Sequence, residues 1–186
     1  MGTKDTVEDL IRNLLTLEHD AIAAYDSAIE RLETSDYREQ IGTFRRDHET
    51  HVADLSRIAS GMGVVPPREG DMKQWLTTGK VALAGLVGDD AILKAMKTNE
   101  DDTVMAYEQA LKNTVASADL RPVLEKACRT NAAIAPGWKR PVDIRRGTHE
   151  KADAQSASAF FNASNLGINA PFGDRVQWSL TACRRP

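Results

Sequence analysis

Glu18-His19-Asp20-Ala21-Ile22-Ala23-Ala24-Tyr25-Asp26-Ser27-Ala28-Ile29 returns, 82 residues on and without a gap, as Glu100-Asp101-Asp102-Thr103-Val104-Met105-Ala106-Tyr107-Glu108-Gln109-Ala110-Leu111. Five of the twelve positions are identical: the opening Glu, the Asp two residues later, two Ala and the Tyr. A Glu and a Tyr seven residues apart sit two turns apart on one helix face. Both stretches also keep the three-or-four apolar spacing of an amphipathic helix. The repeat predicts an all-α fold of two helix hairpins related by a pseudo-twofold axis.

Working outward, residues 5–33 read as one long helix, with Ile11, Leu14, Leu15, Ala21, Ile22, Tyr25, Ala28, Ile29 and Leu32 on its apolar stripe. Thr34-Ser35-Asp36 breaks the pattern, and Asp36 followed by Glu39 suits a new helix start. The second helix is expected over about 36–60, with a stripe at Ile41, Phe44, Leu55 and Ile58, closed by Gly61, Gly63 and Pro66-Pro67. Residues 64–88 make a connection far longer than a hairpin needs, with a short helix expected around 72–86 and anchored by Met72, Trp75 and Leu76. Asp89 or Asp90 can cap a third helix, about 90–113, carrying Leu93, Met96, Val104, Tyr107 and Leu111. A fourth starts near Asp119 with Pro122 in its first turn and stops at Pro136-Gly137, short for a partner of the other three.

The composition changes after that point. Residues 1–136 hold 16 Lys/Arg against 23 Asp/Glu, whereas residues 137–186 hold 8 against 4 and keep no sustained apolar period. The chain is expected to divide into a helical bundle, 1–136, and an irregular basic tail, 137–186. A net charge of −3 gives no reason to expect nucleic acid as a partner. Cys128 and Cys183 are too few for a disulfide framework, no apolar run is long enough for a membrane span, and MGTKDTVEDL lacks a signal-peptide core. A cytoplasmic protein without membrane contact is expected.

The polar residues that interrupt the stripes mark the chemistry. Glu18 falls between Leu14 and Ile22, and Glu100 between Met96 and Val104. Core positions 41, 44, 48, 51, 55 and 58 of the second helix place His48 and His51 inside. Counted from the first turn, Glu18 and His51 lie at one height of the bundle. Alone, a mid-stripe Glu is more often hydrogen-bonded to a neighbour, and a core His is usually structural. Two of each at one level are harder to account for so, because buried carboxylates are costly unpartnered and repel each other. A divalent cation resolves the conflict, since carboxylate oxygen and neutral imidazole nitrogen both ligate iron, manganese or zinc. Glu18, His48, His51 and Glu100 are the candidate metal ligands. Asp47, beside the stripe, is expected to support His51 rather than to ligate, while Tyr25 and Tyr107 are packing residues whose hydroxyls can reach the ligands.

With these residues in place, the chain resembles the ferritin-like superfamily over residues 5–135, most closely small bacterial ferritin-like proteins of undefined function. Members carry a Glu on the first helix, Glu-x-x-His on the second, a Glu on the third and Glu-x-x-His on the fourth. Glu18 and Glu100 stand at the single-Glu positions and His51 at the helix-two His, while His48 replaces the Glu of that motif. The fourth-helix motif is absent, because the repeat points to Thr130-Asn131-Ala132-Ala133-Ile134. Read from the third base of the Ala127 codon, permitted codon choices give Leu-Pro-Asp-Glu-Arg-Arg-His-Arg-Ala-Trp-Val-Glu. This returns Glu-x-x-His to the positions of Asn131 and Ile134, so the segment after about Ala127 is expected to be out of frame.

The resemblance implies a ferritin-like four-helix bundle with one long crossover and a truncated fourth helix. It implies iron as cofactor, manganese and zinc fitting the same ligands, in a di-iron type of site acting on O2, peroxide or iron itself. The competing expectation is a metal-free helical stress or interaction protein with a buried polar network. A short fourth helix would leave part of the apolar stripe uncovered, which predicts a homo-oligomer.

Overall fold

The computed structural model describes residues 6–65, 83 and 85–137, with side chains to Ile134. Four helices account for most of them: α1 (Val7–Arg31), α2 (Ser35–Gly61), α3 (Asp89–Lys112) and α4 (Arg121–Gly137). The expected helix around 72–86 lies outside the described residues except at its end, as do Met72, Trp75, Leu76, Cys183 and the tail.

Local chemistry starts and stops these helices. The Thr6 hydroxyl accepts the Asp9 N–H at 3.0 Å, while the Asp9 carboxylate accepts the Thr6 N–H at 3.2 Å, a reciprocal cap that starts α1. The second helix does not begin as expected. Its cap is Thr34 rather than Asp36, and the Thr34 side chain makes no capping bond. Instead Asp89, at the start of α3, accepts the Glu33 N–H at 2.8 Å and the Thr34 N–H at 3.0 Å. The turn between α1 and α2 is thus tied by a residue more than fifty positions away, which no local pattern announces. Gly63, at φ +73°, takes the left-handed conformation just past α2, where a side chain would be strained. Pro122 falls in the first turn of α4, where its missing N–H costs no helical bond.

Packing joins α1 to α2 and α3, and α4 to α3 and α2, so the helices form a closed ring of four, an all-α four-helix bundle. Short connections make α1/α2 and α3/α4 antiparallel hairpins. The core consists of two apolar clusters. One gathers Leu10, Ile11, Leu14, Leu55, Tyr107, Leu120 and Leu124. The other gathers Tyr25, Ala28, Leu32, Ile41, Leu83, Ile92 and Met96. Fully burying each Leu or Ile contributes about 1.5–3 kcal/mol. Ile22, Ile29, Phe44, Ile58, Leu93 and Leu111 are only half-buried, at the edges of their stripes. Between the clusters lies a layer of buried polar side chains. Among the described residues, no helix is long and apolar enough to cross a membrane.

Candidate metal centre

Three of the four helices send charged or titratable groups into that layer. Glu18 on α1, His48 on α2 and Glu100 on α3 are wholly buried, and His51 is 2% exposed. His48 is central: its Nδ1 lies 2.7 Å from Glu18 Oε2 and its Nε2 3.0 Å from Glu100 Oε1. A histidine donates from both ring nitrogens only as the imidazolium, so the cation sits between two carboxylates. The electrostatics agree. Burial pushes the His48 ring down, but the charges of Glu18 and Glu100 outweigh it and raise the ring to about 10. Burial likewise pushes the Glu18 carboxyl up, and the charge and hydrogen bond of His48, with a smaller share from His51, hold it at about 2.

The two tyrosines complete the layer in a reciprocal way. Tyr25, on α1, donates to Glu100 on α3 at 2.5 Å, and Tyr107, on α3, donates to Glu18 on α1. Each carboxylate is therefore held by the tyrosine of the other repeat. Because the Glu precedes the Tyr on both helices, this crossing can form only if α1 and α3 run antiparallel. The repeat read in the sequence is a physical pseudo-twofold whose axis passes between these two bonds. Burial, then the facing carboxylates, push both phenols well above their ordinary range, so they act as neutral donors. The rings of Tyr25, His48, His51 and Tyr107 follow one another at centroid separations of 5.1, 5.7 and 6.2 Å.

Among the glutamates and histidines of the layer, two atoms stay unsatisfied. His51 Nδ1 lies 3.3 Å from Glu18 Oε1 but out of line for a hydrogen bond, and it has no other partner. Glu100 Oε2 is also buried without a partner. Glu18, His48 and His51 each offer a donor atom within 4.8 Å of the other two, a set that could hold a metal ion. Glu100 falls outside that set and joins the layer through His48 and Tyr25.

The four side chains singled out from the stripes therefore meet, and the two tyrosines bind the carboxylates rather than only packing. Asp47 is half-buried and makes no hydrogen bond to His51; its influence is confined to its charge, which helps raise Tyr25. Stripe reasoning missed Asn99, Thr103 and Asn131, all buried, and Asp54, which accepts from Lys126 of α4 at 2.7 Å. Of these, only Asn131 carried a sequence signal, since it lies in the stretch 130–134 to which the repeat points on the fourth helix.

Neither the curated proteins nor the solved structures include a match to this chain. A family model does match, over residues 6–113, which span α1, α2, the crossover and α3. On that match, and with the Glu, Tyr and His positions of the layer all inside it, the chain belongs to the family described as a domain of unknown function, DUF2383.

Proposed function

We propose that the protein is a metal-binding helical bundle of the ferritin-like kind, with iron as the metal and manganese or zinc able to occupy the same ligands. The observation that carries this reading is the cluster of Glu18, His48 and His51, buried and with donor atoms within 4.8 Å of one another. The donor set fits a borderline divalent cation. It also leaves His51 Nδ1 and Glu100 Oε2 without partners, the kind of deficit that bound metal or water repairs. Glu18, His48 and His51 would hold the ion, with Glu100 brought up from α3. Bound iron supplies redox chemistry towards O2, peroxide or Fe(II) itself. The chain's own part is to keep the layer dry between two apolar clusters and to fix both carboxylates through Tyr25 and Tyr107.

A second reading has its own support. The Glu18–His48–Glu100 chain, closed at each end by a tyrosine, is continuously hydrogen-bonded as it stands, with one imidazolium shared between two carboxylates. A metal-free bundle using this network to fix its core accounts for those bonds, though not for the two orphaned atoms.

Metal content of protein purified without a polyhistidine tag, with thermal melts in added Fe(II), Mn(II) or Zn(II), decides between them. The metal reading expects stoichiometric uptake and a rise in Tm that chelator reverses; a ligand at a hundred times its Kd stabilises by about 2.7 kcal/mol. An unchanged Tm with all three ions favours the metal-free network.

A further inference from the structure

Asn131 on α4 is fully buried, and neither its Oδ1 nor its Nδ2 has a partner. An amide sealed in a core with nothing to bond costs about 1–3 kcal/mol, so its height in the bundle matters. Two counts fix it. The Asp54–Lys126 bond sets the register of α2 against the antiparallel α4. From it, Asn131 levels with Glu49, one residue or about 1.5 Å of rise from His48. Counted instead from the middle of the α3–α4 connection, Glu100 levels with Ala133, about 3 Å of rise from Asn131. Both counts put Asn131 in the layer of Glu18, His48 and Glu100, on the one wall those residues leave open. Ile134, three residues on and 2% exposed, repeats the three-residue spacing of His48 and His51. The strict 82-residue counterparts of the histidines, Thr130 and Ala133, are more exposed, so Asn131 and Ile134, one residue on, are the buried α4 positions nearest the histidines' places.

We propose that Asn131 and Ile134 make the α4 wall of the metal layer neutral, so that each chain takes a single divalent cation at the α1/α2 side. This rests on the metal reading of the site. The layer contains two carboxylates, Glu18 and Glu100, and its histidines ligate only as neutral imidazoles. One divalent cation balances those two charges. A second would leave two uncompensated positive charges between apolar clusters, and burying unpaired charge costs several kcal/mol per ion. The α4 wall supplies no carboxylate to meet that cost, and Asp47, half-buried, makes no hydrogen bond into the layer. At about the height of Glu100, the orphaned amide instead offers one acceptor and two donors, which suit a neutral hydrogen-bonding molecule rather than a second ion.

The test is ion stoichiometry, by native mass spectrometry after Mn(II) or Zn(II) loading, with Tm of the metal-free proteins beside it. Wild type is expected to hold one ion per chain. Asn131→Leu removes the orphaned amide; it should still hold one ion and melt no lower when metal-free. Asn131→Glu with Ile134→His gives α4 a carboxylate and an imidazole; it should melt below wild type when metal-free and recover on loading with two ions. Two ions in wild type overturn the proposal, as does a folded double variant that stays at one. Loss of the ion in Asn131→Leu also overturns it, by making Asn131 a ligand. No ion in wild type overturns instead the metal reading on which the proposal rests.

Discussion

The two hairpins of this bundle are built alike and equipped differently. The α1 and α3 helices each bring a buried Glu and, two turns on, a buried Tyr that bonds the other's Glu. On the partner helices the likeness ends: α2 carries buried His48 and His51, and α4 carries buried Asn131 and Ile134, one residue from the corresponding places. The backbone symmetry survives this loss. Packing of apolar stripes fixes the fold, and one polar position more or less on α4 does not unmake a helix whose Leu124, Ala127 and Cys128 are buried. Ligand chemistry has no such tolerance. The donor set that could hold an ion comes wholly from the first hairpin.

The comparison is most exposed to loss of the two glutamates. Glu18→Ala strips His48 of one carboxylate and leaves Tyr107 without its acceptor; removing one partner of a buried ion pair costs about 3–5 kcal/mol. Glu100→Ala should cost less and reduce metal uptake less, because Glu100 has one unpartnered oxygen already and stands outside the donor set. Denaturant unfolding and metal content of both variants provide the check, and equal losses would erase the distinction between the halves.

Tyr25→Phe and Tyr107→Phe probe the symmetry itself. Each removes a hydrogen bond to a buried charged group, worth about 1.5–3 kcal/mol, and the pseudo-twofold requires the two costs to agree. A large difference in unfolding free energy would show that the crossing bonds are not equivalent.

His51→Leu separates ligand from scaffold. The His51 Nδ1 makes no aligned hydrogen bond and adds only a smaller share to the hold on Glu18, so metal-free stability should change little, while metal uptake is lost. Uptake unchanged in this variant would remove His51 from the site.

The smallest effect is expected where the halves are clamped together away from the layer. The Lys126 hydrogen bond, with a further one from Arg57, holds the Asp54 carboxyl below its ordinary range. A carboxyl depressed in the folded state stabilises above its unfolded value, and that stability is lost as pH falls through the folded one. Asp54→Asn should therefore cost at most about 1 kcal/mol at neutral pH, given the exposed lysine. The difference from wild type should vanish in acid, and urea melts at both pH values would show it.

Much of this was legible because helical phase is written residue by residue. The period that put Leu14 and Tyr25 inside also put Glu18 there, and the same holds for His48, His51 and Glu100. Phase says nothing of which helix faces which. The crossing of Tyr25 to Glu100 depends on α1 and α3 being neighbours and antiparallel. The tie from Asp89 to the α1–α2 turn depends on where the crossover returns, and Asp54–Lys126 on the register of α2 against α4. Asp47 shows the opposite failure: one position from His48 in sequence, it lies about 100° away around the helix and bonds neither histidine.

The crossing bonds also have a mechanical meaning. Tyr107 reaches Glu18 near one height of the α1/α3 seam, and Tyr25 reaches Glu100 two turns away, with donor and acceptor exchanged between the helices. If α3 were to slide along α1 in either direction, one hydroxyl would be carried past its carboxylate and the other left behind it. Sliding therefore strains both bonds at once, so the pair resists shear of α3 along α1 within the polar layer.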